Sequence, residues 1–155
     1  MHEERTEYMR LALAQAELAA REGEVPVGCV IVRGGAVVAC AHNRRETNRD
    51  ATAHAETLAI REACRVLGTW RLSDCTLYVT LEPCLMCAGA ILNARVGTVV
   101  YGARDREAGA MGGVLDVFQE DFPFAPRVYS GVLEGECTAI LQDFFAKLRK
   151  NPPQD

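Results

Sequence analysis

Between about Glu4 and Glu22, the apolar residues Leu11, Ala14 and Leu18 recur at helical spacing with Gln15 and Glu17 polar between them, and Gly23 ends the pattern. A first helix burying Leu11, Ala14 and Leu18 is predicted. Val25 to Val32 and Ala36 to Ala41 are then apolar and β-branched, and Arg33-Gly34-Gly35 between them suits a hairpin turn. Asn43 to Thr52 is polar and reads as an exposed loop. Helical spacing returns from about His54 to Leu67, Thr76 to Thr80 reads as a buried strand, and Pro83 suits the first turn of a helix reaching about Asn93. Thr98 to Tyr101 is a further strand, and the glycine-rich stretch Gly102 to Gly113 is a loop. Val114 to Phe118 predicts a short helix and Arg127 to Tyr129 a last strand. Cys137 to Lys150 closes the chain as a helix with Ile140, Leu141, Phe144, Phe145 and Leu148 apolar. A hairpin followed by strands separated by helices implies an α/β protein, its mixed sheet covered by helices on both faces.

Composition narrows this picture. At 155 residues with 49% hydrophobic content, residues 1–155 fit a single domain with one core. No apolar run approaches the roughly 20 residues of a membrane-spanning helix, and Met1 to Arg10 is polar without a following secretory region, so a cytoplasmic protein with no membrane partner is expected. Seven cysteines without an export signal favour reduced thiols and a metal site over disulfides. Cys29, Cys40, Cys64, Cys75 and Cys137 are expected to be buried as small hydrophobes. A net charge of −4 argues against a protein that coats nucleic acid, although 15 of the 17 basic residues are arginines, whose planar fork suits phosphates and base edges.

The candidate chemistry lies in two short motifs, His54-Ala55-Glu56 and Pro83-Cys84-Leu85-Met86-Cys87. His54, Cys84 and Cys87 can supply three ligands to a tetrahedral zinc, leaving the fourth position for water. Glu56 can manage that water's protons as general base and acid. Two thiolates and a neutral imidazole cancel the charge of the ion, so it acidifies its water less than a three-histidine site would, and the nearby base matters more. The order H-x-E then P-C-x-x-C is the signature of zinc-dependent nucleobase deaminases. His54 and Glu56 are two residues apart, a spacing that reaches one metal only from the start of a helix. A structural zinc would need a fourth protein ligand, and the nearest spare histidine, His42, has no spacing tie to the site.

With these residues in place the chain resembles the bacterial tRNA-specific adenosine deaminases. The resemblance runs from about Tyr8 to Leu148 through Glu24-Val25-Pro26-Val27-Gly28, Ala41-His42-Asn43, Thr52-Ala53-His54-Ala55-Glu56, the run Thr76 to Ala90, and Tyr101-Gly102-Ala103-Arg104-Asp105. It implies a three-layer α/β/α cytidine-deaminase-like fold with a mixed central sheet, one zinc per subunit, a homodimer, and a tRNA anticodon loop as partner. The implied reaction is hydrolytic deamination of the wobble adenosine to inosine by a zinc-activated water with a Glu proton shuttle. Carried over by position, Asn43 would hydrogen-bond the nucleoside, Val27 would form a pocket wall, the Ala55 amide would contact the base, and Asp105 would lie on a substrate-contacting loop. Arg44, Arg45 and Arg49 are candidate RNA contacts. The sequence departs from its relatives at Phe124-Ala125-Pro126, where an Asn-His pair is frequent, and in the tail Lys147 to Asp155, which is short and ends acidic.

Other roles for these residues stay open. Asn43 would serve equally as a turn cap, Val27 as strand core, and Asp105 as a partner of Arg104 or Arg106. Phe144 and Phe145 would either flank a flipped base or pack, with packing favoured for at least one. A deaminase of a free base or nucleoside such as guanine or cytosine would use the same zinc and Glu56 without needing the arginines. A catalytically dead zinc protein binding RNA or a partner subunit would have no use for Glu56.

Overall fold

In the computed structural model, residues 2–153 are described; Gln154 and the acidic end of the tail, Asp155, lie outside them. The chain runs α1 (His2–Arg21), β1 (Gly28–Arg33), β2 (Ala36–His42), α2 (Arg45–Asn48), α3 (Ala55–Leu67), β3 (Cys75–Leu81), α4 (Leu85–Ala94), β4 (Thr98–Ala103), β5 (Arg127–Tyr129) and α5 (Glu134–Lys150), with a single 3-10 turn at Val117–Gln119. The five strands form one sheet in the order β2-β1-β3-β4-β5. β1 is antiparallel to both β2 and β3, whereas β3, β4 and β5 are mutually parallel.

Strand alternation divides the core into two layers. Ile31, Leu77, Val79, Val99 and Tyr101 face α3 and α4, meeting Ala59, Ile60, Ala63, Ala88 and Ile91. Val30, Val32, Tyr78 and Val100 face the other way, toward Met9 and Ala12 of α1 and Cys137 of α5. Period-2 residues on strands thus serve two helix layers at once, as burial on both faces of a sheet requires.

The buried face of α1 differs from the sequence expectation. Met9, Ala12, Ala16 and Ala19 are buried, while Leu11 and Leu18 are exposed. The reason lies in β1: a Cβ at Gly28 would collide with the Ala12 carbonyl oxygen, so the helix backbone lies almost on the strand and only small side chains fit between them. The hairpin turn behaves as expected, with Gly34 and Gly35 at φ of 56° and 79°, the left-handed pair that a two-residue hairpin loop demands.

Three further expectations change. The Asn43 to Thr52 loop contains the one-turn helix α2, and the helix predicted from Pro83 starts at Leu85 with Cys84 as its N-cap. Cys29, Cys75 and Cys137 are buried, but Cys64 is half-buried and Cys40 is exposed on the edge strand β2, where no further strand covers it.

The topology gathers one end of the sheet into a functional rim. Gly28 at the start of β1 pairs with His42 at the end of β2, and its amide donates to Thr80 near the end of β3. The ends of β3 and β4 lie side by side in parallel, Leu81 opposite Ala103. Loops that follow parallel strands therefore converge at this edge, the usual place for a ligand in α/β sheets.

Candidate active site

Two helix starts meet on this rim. His54 is the N-cap of α3 in extended conformation, and Cys84 is the N-cap of α4. His54 Nδ1 lies 3.6 Å from Cys84 Sγ and 3.5 Å from Cys87 Sγ. Among the described residues these three side chains form the cluster of ligand atoms able to hold a metal ion, all within 4.8 Å of one another. The separations suit a tetrahedron, because bonds of about 2.0–2.3 Å to nitrogen and sulfur place ligand atoms about 3.5–3.8 Å apart. One imidazole and two sulfurs form a donor set suited to zinc.

The cluster is electrostatically uneven. A hydrogen bond from Cys87, helped by His54 against the cost of burial, holds the Cys84 thiol down to about 4. Cys87, the donor in that pair and itself buried, is pushed up. His54 is raised by its bond to Cys84. Glu56, in the first turn of α3, is buried, and burial pushes its carboxyl up to about 7, with the nearby Cys84 acting in the same direction. A carboxyl poised there takes and returns protons readily near neutral pH.

These groups open onto a cavity of about 600 Å³. Val27, Asn43, Arg45, His54, Glu56, Cys84 and Asp105 all line it. Ala55 does not: its N–H, expected to meet a base, instead donates to Asn43 Oδ1 at 2.8 Å, because a helix start leaves that amide unpaired and Asn43 caps it. The Asn43 side chain therefore both caps α3 and faces the cavity. Arg44 and Arg49 are absent from the lining as well. Arg44 turns toward Glu22, at 3.6 Å, and Asn48, and Arg49 ends α2 in the left-handed conformation. Asp105 pairs with neither neighbouring arginine among the described residues; its Oδ1 accepts from the Glu107 and Ala108 amides at 2.9 and 3.2 Å. His42 lies outside the cluster, with Gln15 and Glu22 on its two ring nitrogens.

Phe144, Phe145 and Leu148 of α5 also line the cavity, the two rings edge-on at 5.4 Å. Two buried carboxylates were not legible as site residues. Glu24 accepts from the Glu46 and Thr47 amides and the Thr47 hydroxyl. Glu82 accepts from the Asp105, Met111 and Gly113 amides. The only signal in the sequence was a charged residue abutting an apolar strand.

Compared with known proteins, residues 3–149 match the family model of the MafB19-like deaminases. The chain belongs to that family. The tRNA-specific adenosine deaminase of Bacillus subtilis strain 168 is 52% identical over 144 residues, covering 92% of this chain and 89% of the relative. A structure solved in a study of A-to-I editing by tRNA:A34 deaminases superposes with a TM-score of 0.82 at 47% identity, over 88% of this chain and 99% of that one. Guanine deaminase from Bacillus subtilis is more distant, with a TM-score of 0.61 and 38% identity over 95% of each chain. The deaminase family thus shares the three-layer α/β/α, cytidine-deaminase-like arrangement described above.

Proposed function

We propose that this MafB19-like deaminase converts adenosine to inosine at the wobble position of a tRNA anticodon, with Glu56 as proton carrier and one zinc per subunit held by His54, Cys84 and Cys87. The observation that carries the reading is a buried carboxyl beside a His/Cys/Cys cluster on the floor of one cavity. Its substrate class rests on the 52% identity to a tRNA-specific adenosine deaminase, against 38% to a guanine deaminase.

When bound, zinc supplies a Lewis acid that lowers the pKa of water at its open position. Glu56 takes a proton from the attacking water and delivers it to the ring nitrogen beside the attacked carbon. It then takes that water's second proton from the hydroxyl added to the carbon and passes it to the amino group, so that the carbon–nitrogen bond breaks, ammonia leaves and a carbonyl remains. Asn43, with Oδ1 held by Ala55, keeps its NH₂ to donate to the nucleoside, and Val27 forms an apolar wall. In this arrangement the Ala55 amide acts on the base through Asn43. Arg45 stands at the mouth for the RNA backbone, and Arg44 and Arg49 contribute charge from outside. A target base must leave its stack to enter, which confines the substrate to an unpaired loop.

A homodimer is part of this reading. Leu85, Leu92, Val117, Phe122 and Phe124 line a shallow apolar groove beside the metal helix, and Leu85 and Phe122 are more than half exposed. Among the described residues no helix is long and apolar enough to cross a membrane, and a cytoplasmic location accords with a tRNA substrate. Incubating the protein with an unmodified tRNA pool and sequencing for A-to-I changes tests the function. Brisk turnover of free guanine or cytidine with no change in any tRNA would replace it with the small-molecule reading.

A further inference from the structure

Glu82 is 2% exposed and stands directly before Pro83 and the metal-ligand candidate Cys84. Its Oε1 accepts from the Asp105 amide at 3.1 Å, and its Oε2 accepts from the Met111 and Gly113 amides, both at 2.9 Å. Three bonds accepted and none donated is the pattern of a carboxylate. A glutamine would turn an NH₂ toward amides that themselves donate. All three amides belong to the loop between β4 and the 3-10 turn, which brings Asp105 and Ala108 to the cavity wall.

A second set of observations points to the same residue. A Cβ at Gly109 would collide with the Glu82 carboxylate, and one at Gly113 would collide with the Asp105 carbonyl and crowd Glu82 Oε1 at 2.9 Å. Two glycines in this loop thus stand where the loop closes on the carboxylate. The loop also grips the metal-ligand turn, since the Ala110 amide donates to the Pro83 carbonyl at 2.9 Å and Gly109 bridges Cys84.

We infer that Glu82 is a positioning residue for substrate, its carboxylate clamping the loop that carries Asp105 against the rim of the cavity. The inference rests on the cavity being the nucleoside pocket proposed above. Glu56 and the ligand atoms of His54, Cys84 and Cys87 lie outside that loop, but Cys84 follows Glu82 by two residues and is bridged by Gly109, so zinc per chain separates a loosened substrate loop from a disturbed metal-ligand turn. A residue that merely held the fold together would lower melting temperature or metal content instead.

The test compares wild type, Glu82→Gln and Gly113→Ala on an anticodon stem-loop, measuring KM, kcat and zinc per chain. Expected for both variants is a KM raised about tenfold or more, kcat within about twofold of wild type, and full zinc. An unchanged KM, or a fall in kcat that tracks zinc loss, overturns the inference while leaving the proposed function standing. A wild-type protein that does not turn over the stem-loop overturns the function and this inference with it. Should either variant not fold, Glu82→Asp decides, because it keeps the charge, adds no Cβ against the Asp105 carbonyl and draws the carboxylate back from the three amides.

Discussion

Glu56 contributes none of the three clustered ligand atoms, so Glu56→Gln separates chemistry from metal binding. Zinc per chain should stay at the wild-type level while the rate falls about 10²–10⁴-fold, the contribution of a general acid–base group. Metal analysis and a rate assay on one preparation check both halves, and zinc loss would reassign Glu56 as a ligand. Cys87→Ala should lose zinc and stability together, because metal binding holds the starts of α3 and α4 side by side. Cys75→Ala, outside the cluster, should keep the wild-type zinc stoichiometry, and equal loss from both would mean the wrong sulfurs had been chosen. His54, Glu56, Cys84 and Cys87 were legible because each lies within three residues of another member of its motif, and helix starts fix such short spacings. Glu24 and Glu82 were not. Their partners lie 22 to 31 residues away along the chain, and only the fold makes those amides their neighbours.

At the scale of elements, the sequence pattern located every strand and long helix to within a few residues, since alternation and helical spacing are local properties. It misassigned the buried face of α1, because the face is set by how closely the helix approaches Gly28 rather than by side-chain size. Gly28→Ala should therefore cost about 1–3 kcal/mol as the helix is pushed off β1, read as a lower urea midpoint. The turn α2 escaped notice for a related reason. It has no side-chain cap of its own, and its first amides are satisfied by Glu24 from the segment between α1 and β1. Burial opposes the Glu24 carboxylate, but the bonds from Thr47 and Glu46, with Arg44 nearby, outweigh it and hold its pKa below the ordinary 4.5. A pKa lower in the folded than the unfolded state stabilises fully above about pH 4.5 and less as pH falls through the folded value. Glu24→Gln should then cost about 1–3 kcal/mol at neutral pH, and its deficit against wild type should shrink on acidification below pH 4.5. Urea melts of both proteins across that range decide it; a constant deficit would mean that the carboxylate charge is not what holds α2.

For the whole molecule, a net charge of −4 means that RNA must be met by local arginines. Binding of an anticodon stem-loop should weaken with salt as phosphate contacts release counterions. Of the three loop arginines only Arg45 lines the cavity, so Arg45→Ala should reduce affinity and salt slope more than Arg49→Ala, with zinc unchanged in both. Titrations at several salt concentrations measure this, and equal effects would place the RNA elsewhere. The cavity is assembled from segments spread along the chain, from Gly23 to Pro153, and its aromatic side comes from α5, Glu134–Lys150. Synthesis builds these parts in order: His54, Glu56, Cys84 and Cys87 are made before Phe144, Phe145 and Leu148. A chain halted before Glu134 should therefore lack both the aromatic side of the cavity and Cys137 of the core layer facing α1.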